Sequence, residues 1–218
     1  MAEARNYNDW LLRRARPFLG ARVLDFGAGV GTFTGLIAQS AEVVAVEPDG
    51  EFVPRLRTRF AGDSRVTVVH GDDRAIAKLG RFDSVVCLNV LEHVRADEAA
   101  LGRFADCLGV GGHALILVPA HQALFGEVDR SVGHERRYNR NLLRRRLLGA
   151  GFEPLDLRYV NPVGAAGWLV SSRLLRRDQV PTGPLRLYDA LVPVLRPLDK
   201  LPLPFGLSLW AVGRKTSR

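Results

Sequence analysis

The chain is 218 residues long, 47% hydrophobic and 25% charged, with a formal net charge of +8. That size and apolar content suit one globular domain with a substantial core. No stretch reaches the roughly 18–20 apolar residues of a membrane span, and the opening "MAEARNYNDW" has no secretory apolar region, so a cytoplasmic protein is expected.

Strand-like and helix-like segments alternate along the chain. Five short apolar runs read as strands: "RVLDF" (22–26), "EVVAVE" (42–47), "RVTVVHG" (65–71), "FDSVVCL" (82–88) and "HALILVPA" (113–120). The segments between them are long enough for helices. Leu101, Phe104, Ala105 and Leu108 share one face of 97–108, and "GVGG" (109–112) is read as that helix's stop. Continuous apolar strands alternating with helices predict a buried parallel sheet, doubly wound, with helices on both faces. Cys87 and Cys107 lie in apolar stretches with no paired spacing, which predicts buried thiols and no metal site.

After residue 120 the pattern changes. A polar loop runs to 138, and Asn139 opens a basic amphipathic helix that closes at Gly149 and Gly151. "FEPLDLRYV" (152–160) reads as a sixth strand and "GLSLWAVGRK" (206–215) as a seventh. The 161–205 connection between them holds seven prolines and two apolar patches. A connection of that length is usually functional, and its apolarity argues against disorder. The expected organisation is therefore a main domain over 1–160 and 206–218, with 161–205 as an insertion. The insertion has three open readings: a lid, a dimer interface, or a membrane contact carried by its arginines.

"VLDFGAGVGTFT" (23–34) carries the chemistry. A glycine-rich turn leaving the first strand places a ligand at the carboxyl edge of the sheet. A dinucleotide turn would need glycine at 27, 29 and 32, but position 32 is Thr32; a phosphate loop would need a lysine that is absent. The pattern present, Asp25 followed by Gly27, Gly29 and Gly31, is that of S-adenosylmethionine sites. Glu47 ends the second strand and can accept from ribose hydroxyls. Asp72, in "HGDD", can accept from the adenine amino group. Asn89, in "CLNVLEHV", can face the methionine ammonium. Each also has a plainer reading, respectively a solvated strand end, a turn former and a helix cap. Their placement at consecutive strand ends favours the shared one.

With these segments the chain resembles the class I S-adenosylmethionine-dependent methyltransferases. The match rests on "VLDFGAGVGTFT", "VVAVEPD", "VHGDD", "FDSVVCLNVLEHV" and "LGVGGHALILVPA". It is most similar to a bacterial branch with "NYNDW", "GHERRY" and "PFGLSLWAVGRK", broadly similar to ubiquinone-pathway methyltransferases. The resemblance implies sheet order 3-2-1-4-5-7-6 with the seventh strand antiparallel. It also implies cofactor contacts at Gly27, Gly29, Glu47, Asp72 and Asn89. One departure is "GVGG", where such enzymes usually place a proline before the glycine pair.

The expected reaction moves a methyl group to a small molecule, a hydroxylated secondary metabolite or quinone-like compound. The alternatives are N- or C-methylation, or a non-catalytic cofactor-binding assembly protein. A base would lie after the fourth or fifth strand. His134 in "EVDRSVGHERRY" is the first candidate, His93 its rival, and His121 a weaker one. Asp129, His134 and an arginine have a plainer role in pinning that loop. Substrate contacts are expected from His121, Tyr138, Asn161 and Trp168, and from Tyr7 and Trp10 if the first helix covers the site rather than only packing on the sheet. The positive charge raises nucleic acid as a partner, but no [ND]-P-P-[YF] motif follows the fourth strand, so nucleic acid is not expected.

Overall fold

The computed structural model describes residues 4–162, 189–194 and 203–216. Seven strands form one sheet: β1 (Arg22–Phe26), β2 (Glu42–Glu47), β3 (Val66–His70), β4 (Phe82–Leu88), β5 (Leu108–Pro119), β6 (Phe152–Val160) and β7 (Ser208–Lys215). Their order is 3-2-1-4-5-7-6, with β7 antiparallel to both β5 and β6. This is the expected doubly wound topology. The carboxyl ends of β1 to β6 therefore share one edge, where α/β folds of this kind bind ligands.

The helices are α1 (Arg5–Ala15), α2 (Thr32–Ile37), α3 (Phe52–Arg59), α4 (Asp97–Cys107), α5 (Glu127–Ser131) and α6 (Arg140–Gly149). Side chains alternate across a strand, so each inner strand feeds two cores. Leu24, Val85 and Ile116 pack on one face with Phe104, Tyr138 and Leu147. Their chain neighbours Val23, Val86 and Leu115 pack on the other with Tyr7, Trp10, Leu11 and Trp210. Burying each large apolar side chain contributes about 1.5–3 kcal/mol, so both layers stabilise the sheet.

Two local expectations change. "GVGG" is not a loop after the helix: α4 stops at Cys107 and β5 begins at once at Leu108. The register against β4 slips between Phe82 and Ser84, so the glycines form an irregular lead-in to the strand. The polar loop 121–138 is also not structureless. It contains α5, whose Asp129 carboxylate reaches back to the Gly126 N–H at 2.9 Å. The helix read from Asn139 is present as α6, and the Asn139 side chain caps it by accepting from Leu142 N–H at 2.8 Å. Cys87 and Cys107 are both buried free thiols. Among the described residues, no helix is long and apolar enough to cross a membrane.

Candidate active site

The turn after β1 builds the cofactor side of the site. Gly27, Gly29 and Gly31 all have positive φ, at 73°, 56° and 77°. At Gly31 an added Cβ would stand 2.5 Å from the Phe60 ring, and at Gly27 it would strike Val90. Both glycines are thus required by backbone and by space. Gly29 differs: none of the described residues lies within 4 Å of where its Cβ would be. The turn is therefore open at its middle glycine, as a cradle for a closely approaching ligand must be.

Acidic side chains surround this cradle. Asp25 is buried at the end of β1 and accepts the Thr34 hydroxyl at 2.6 Å, which ties the strand to α2. Burial pushes the Asp25 carboxyl up to about 6; the Thr34 hydrogen bond opposes this and the charge of Glu47 adds to it. Glu47, at the end of β2, is also buried. It accepts from the Gly29 N–H at 2.6 Å and the Asp49 N–H at 2.8 Å. It therefore sets the shape of the glycine turn, and its carboxylate keeps further lone pairs for a ligand. Asp72 is exposed beyond β3, where its side chain caps a 3-10 turn by accepting from Arg74 N–H at 2.9 Å. The turn-forming reading of Asp72 is thus realised. Asn89 follows β4 in a left-handed conformation, φ 54°, and donates its backbone N–H to Leu117 at 2.8 Å. A left-handed non-glycine residue is uncommon and concentrates at functional sites.

The candidate base residues converge on the same edge. His93 ends a 3-10 turn (Leu91–His93) after β4, and His134 follows α5. Their rings meet edge-to-face with centroids 4.6 Å apart. His134 Nδ1 lies 2.8 Å from Asp129, which also accepts from Arg137 Nε at 2.8 Å. Burial works against ionising Asp129. The hydrogen bonds from Arg137, His134 and Gly126 outweigh it and hold the carboxyl below its usual range. The loop-pinning role anticipated for Asp129 and an arginine is therefore real, and it also fixes the orientation of His134. His93 is the more exposed imidazole. Its Nδ1 lies 3.3 Å from the Gly133 carbonyl, which leaves Nε2 as the lone-pair nitrogen. Burial, then His134, lowers its pKa, keeping the ring neutral near pH 7.

Glu92 was not among the expected residues. It is 1% exposed, and among the described residues neither carboxyl oxygen has a hydrogen-bond partner. The imidazole of His134 places its Nε2 3.9 Å from a Glu92 carboxyl oxygen. Burial raises its pKa to about 8, with Arg137 opposing and Asp129 adding to the rise. Glu92, His93 and His134 bring ligand-type atoms within 4.8 Å of one another. Cysteine and histidine spacing does not show this grouping, because it joins segments some forty positions apart. The sequence signal is the "EH" pair in the short turn that follows β4.

The other expected contacts divide. Tyr138 is wholly buried, and its hydroxyl donates to Asp97 at 2.8 Å. It is a core residue, not a substrate contact, because its register in the Ala120–Tyr138 bridge turns it under the sheet edge. Tyr7 and Trp10 are each 7% exposed and lie in the apolar layer beneath α1, so the packing role holds for both. His121 and Asn161 follow β5 and β6 with φ of 62° and 59°, and the His121 ring stacks on Tyr159 at 4.6 Å. Burial, then Arg137, lowers the pKa of His121. Trp168 lies outside the described residues. A cleft of about 420 Å³ lined by Phe18, Asp83 and His113 opens at the opposite, amino-terminal edge of the sheet and does not belong to this site.

A seven-stranded sheet of this order, with a glycine cradle and acids at its carboxyl edge, defines a class I methyltransferase. Residues 2–157 match the methyltransferase-domain family, and the chain belongs to it. Its cofactor is S-adenosylmethionine. The open cradle at Gly29 and the carboxylates beside it fit that group. Among curated relatives, the chain is 38% identical over 110 residues to the ubiquinone biosynthesis O-methyltransferase of Xanthomonas axonopodis pv. citri, covering 48% of this chain and 45% of the relative. It is 46% identical over 54 residues to ribosomal RNA small subunit methyltransferase A of Geobacter sulfurreducens, covering 24% and 20%. The matches thus span less than half the length of these relatives. Among solved structures, the N-methyltransferase NodS of Bradyrhizobium japonicum superposes with a TM-score of 0.65 at 16% identity, covering 98% of this chain and 87% of that one. The YcgJ protein of Bacillus subtilis gives 0.67 at 15%, covering 96% and 99%. At such identities the superpositions speak for the fold.

Proposed function

We propose that this methyltransferase acts in the cytoplasm on a small-molecule acceptor, a hydroxyl of a secondary metabolite or quinone-like compound. The observation that carries this reading is the Asp129–His134–His93 arrangement at the carboxyl edge. Bound S-adenosylmethionine supplies an activated methyl on a sulfonium, which leaves as a neutral thioether. In this reading Glu47, Asp72 and Asn89 hold its ribose, adenine and amino-acid ends over the glycine cradle. Asp129 keeps the proton on His134 Nδ1. His134 packs edge-on against His93, and the bare Nε2 of His93 takes the acceptor's hydroxyl proton as the O–CH₃ bond forms. A positioned base of this kind contributes about 10²–10⁴-fold.

The name of the Xanthomonas relative favours an oxygen acceptor, and that of the Geobacter relative favours RNA. One experiment separates them: transfer of radiolabelled methyl into a cell extract fractionated into organic-soluble metabolites, RNA and protein. Label in the organic phase, lost at least tenfold in both His93→Ala and His134→Ala, is the expected result. Label in RNA alone rejects the small-molecule reading. Undiminished organic-phase label in both variants removes the base and leaves N- or C-methylation by proximity.

A further inference from the structure

Two imidazoles and a carboxylate meet after β4 and α5 with more bonding capacity than the described residues use. Glu92 is 1% exposed, and its carboxyl oxygens accept no hydrogen bond from those residues. A buried carboxylate without a partner is costly. The neighbouring acid is differently placed: Asp129 is met by Arg137 Nε at 2.8 Å and by His134 Nδ1 at 2.8 Å. Glu92 Oε1 instead faces His134 Nε2 at 3.9 Å, beyond hydrogen-bond reach.

Both histidines are held by the same ring nitrogen. A carboxylate and a carbonyl can only accept, so the proton of His134 lies on Nδ1 toward Asp129. That of His93 lies on Nδ1 toward the Gly133 carbonyl at 3.3 Å. Each ring therefore keeps its lone pair on Nε2. Metal-binding imidazoles are oriented in this way, by an acceptor at the other ring nitrogen. A ring nitrogen of each histidine and an oxygen of Glu92 lie within 4.8 Å of one another. Small side-chain shifts close that span around one ion bound at about 2.0–2.2 Å. The edge-to-face contact of the two rings holds the segments that carry them together. His93 is exposed, which gives an ion a way in.

The donor set selects the ion. Two imidazoles and one carboxylate suit a borderline transition metal, whereas magnesium and calcium favour oxygen donors. Zinc takes such a set of two histidines and a glutamate, with its fourth position open. We propose that Glu92, His93 and His134 form a Zn²⁺ site that switches methyl transfer off: the ion takes the His93 Nε2 lone pair that would otherwise receive the acceptor's proton. The inhibition rests on the base reading above; the binding of zinc does not.

The test uses the full chain, freed of metal with EDTA and dialysed, with ZnCl₂ as the probe. Calorimetry should show saturable binding of one zinc per chain, and MgCl₂ should not bind. Glu92→Gln, which keeps the shape and removes the charge, and His134→Ala should each weaken zinc at least tenfold. Asp129→Asn, which no longer orients His134, should weaken it about tenfold. In the radiolabel assay, zinc should lower wild-type incorporation into the organic phase at least tenfold, with its midpoint near the calorimetric Kd, and EDTA should restore it. Glu92→Gln, scored against its own zinc-free incorporation, should need at least tenfold more zinc for the same loss. Absence of saturable zinc binding, or wild-type affinity in Glu92→Gln, overturns the site. Zinc that binds these residues yet leaves incorporation unchanged, or raises it, overturns the switch. Should His134→Ala fail to fold, Glu92→Gln decides alone. Zinc-free incorporation undiminished in His93→Ala rejects the base reading and the switch with it, while the calorimetry still supports or overturns the zinc site.

Discussion

The Asp129 carboxylate stands 2.8 Å from Nδ1 of His134, and the same oxygen accepts from Arg137 Nε. Asp129 and Arg137 are both buried, so this pair is a charged anchor inside the loop that carries the candidate base. Removing one partner of a buried ion pair strands the other and costs about 3–5 kcal/mol. Asp129→Ala should lose stability of that order in urea denaturation. Asp129→Asn should fold better but no longer fix the proton on His134 Nδ1. Its methyl incorporation should fall by about 10–10²-fold with S-adenosylhomocysteine affinity retained.

Glu47 shapes the cradle through the Gly29 N–H and is the residue expected to hold the ribose. Glu47→Ala removes both the turn's acceptor and the ligand's. A charge-assisted hydrogen bond is worth about 1.5–3 kcal/mol, which is roughly a 10–10²-fold weakening of S-adenosylhomocysteine binding by calorimetry. Asp72→Ala should weaken binding less, because Asp72 is exposed beside Arg74. Unchanged affinity in both variants would remove these carboxylates from the cofactor site.

The three glycines of the turn should not respond alike. Gly31→Ala forces a left-handed alanine against Phe60 and should destabilise by about 2–4 kcal/mol, combining backbone strain with overpacking. Gly29→Ala meets open space and should cost only about 1–2 kcal/mol from its backbone. Its new methyl would instead occupy the cradle, so S-adenosylhomocysteine affinity should fall while the fold persists. Thermal melts paired with calorimetry separate the two effects.

Asp25 makes a pH prediction with a definite sign. Burial raises its folded pKa to about 6 from an ordinary 3.8. The folded state therefore binds the proton more tightly than the unfolded chain. That contribution is fully present below about pH 4 and is lost as pH rises through about 6, a change on the order of 3 kcal/mol at most. Asp25→Asn, which stays neutral, should gain in melting temperature relative to wild type from pH 4 to 6.5 and level off above. A difference that is flat with pH would show that Asp25 ionises freely in the fold.

Much of this molecule is legible in its sequence. Five of the seven strands were bounded by apolar, β-branched runs to within a residue at each end, because a buried strand needs such a run and the turns beside it exclude one. The glycine cradle was legible for the same reason: positive φ at 27, 29 and 31 is a local demand that glycine meets. The start of β5 was not, since glycines that usually stop a helix here open a strand, and only pairing with β4 decides which.

The partners of side chains were hidden. His93 and His134 stand far apart in the sequence, and nothing in either segment says that their rings touch. Glu92 looks like a surface acid until the loop ending in Glu135 closes over it, where the Glu135 N–H donates to the Glu92 carbonyl at 2.8 Å. Tyr138, in a motif that invited a substrate role, is taken into the core by a single bridge to Ala120. The sequence by itself determined the backbone's fold, its cofactor turn and hence the reaction class, because backbone torsions and hydrophobic period are written within a few residues. Tertiary structure alone decided that the His93 and His134 rings meet and that Asp189 caps α1, because those contacts depend on packing between segments up to 183 positions apart.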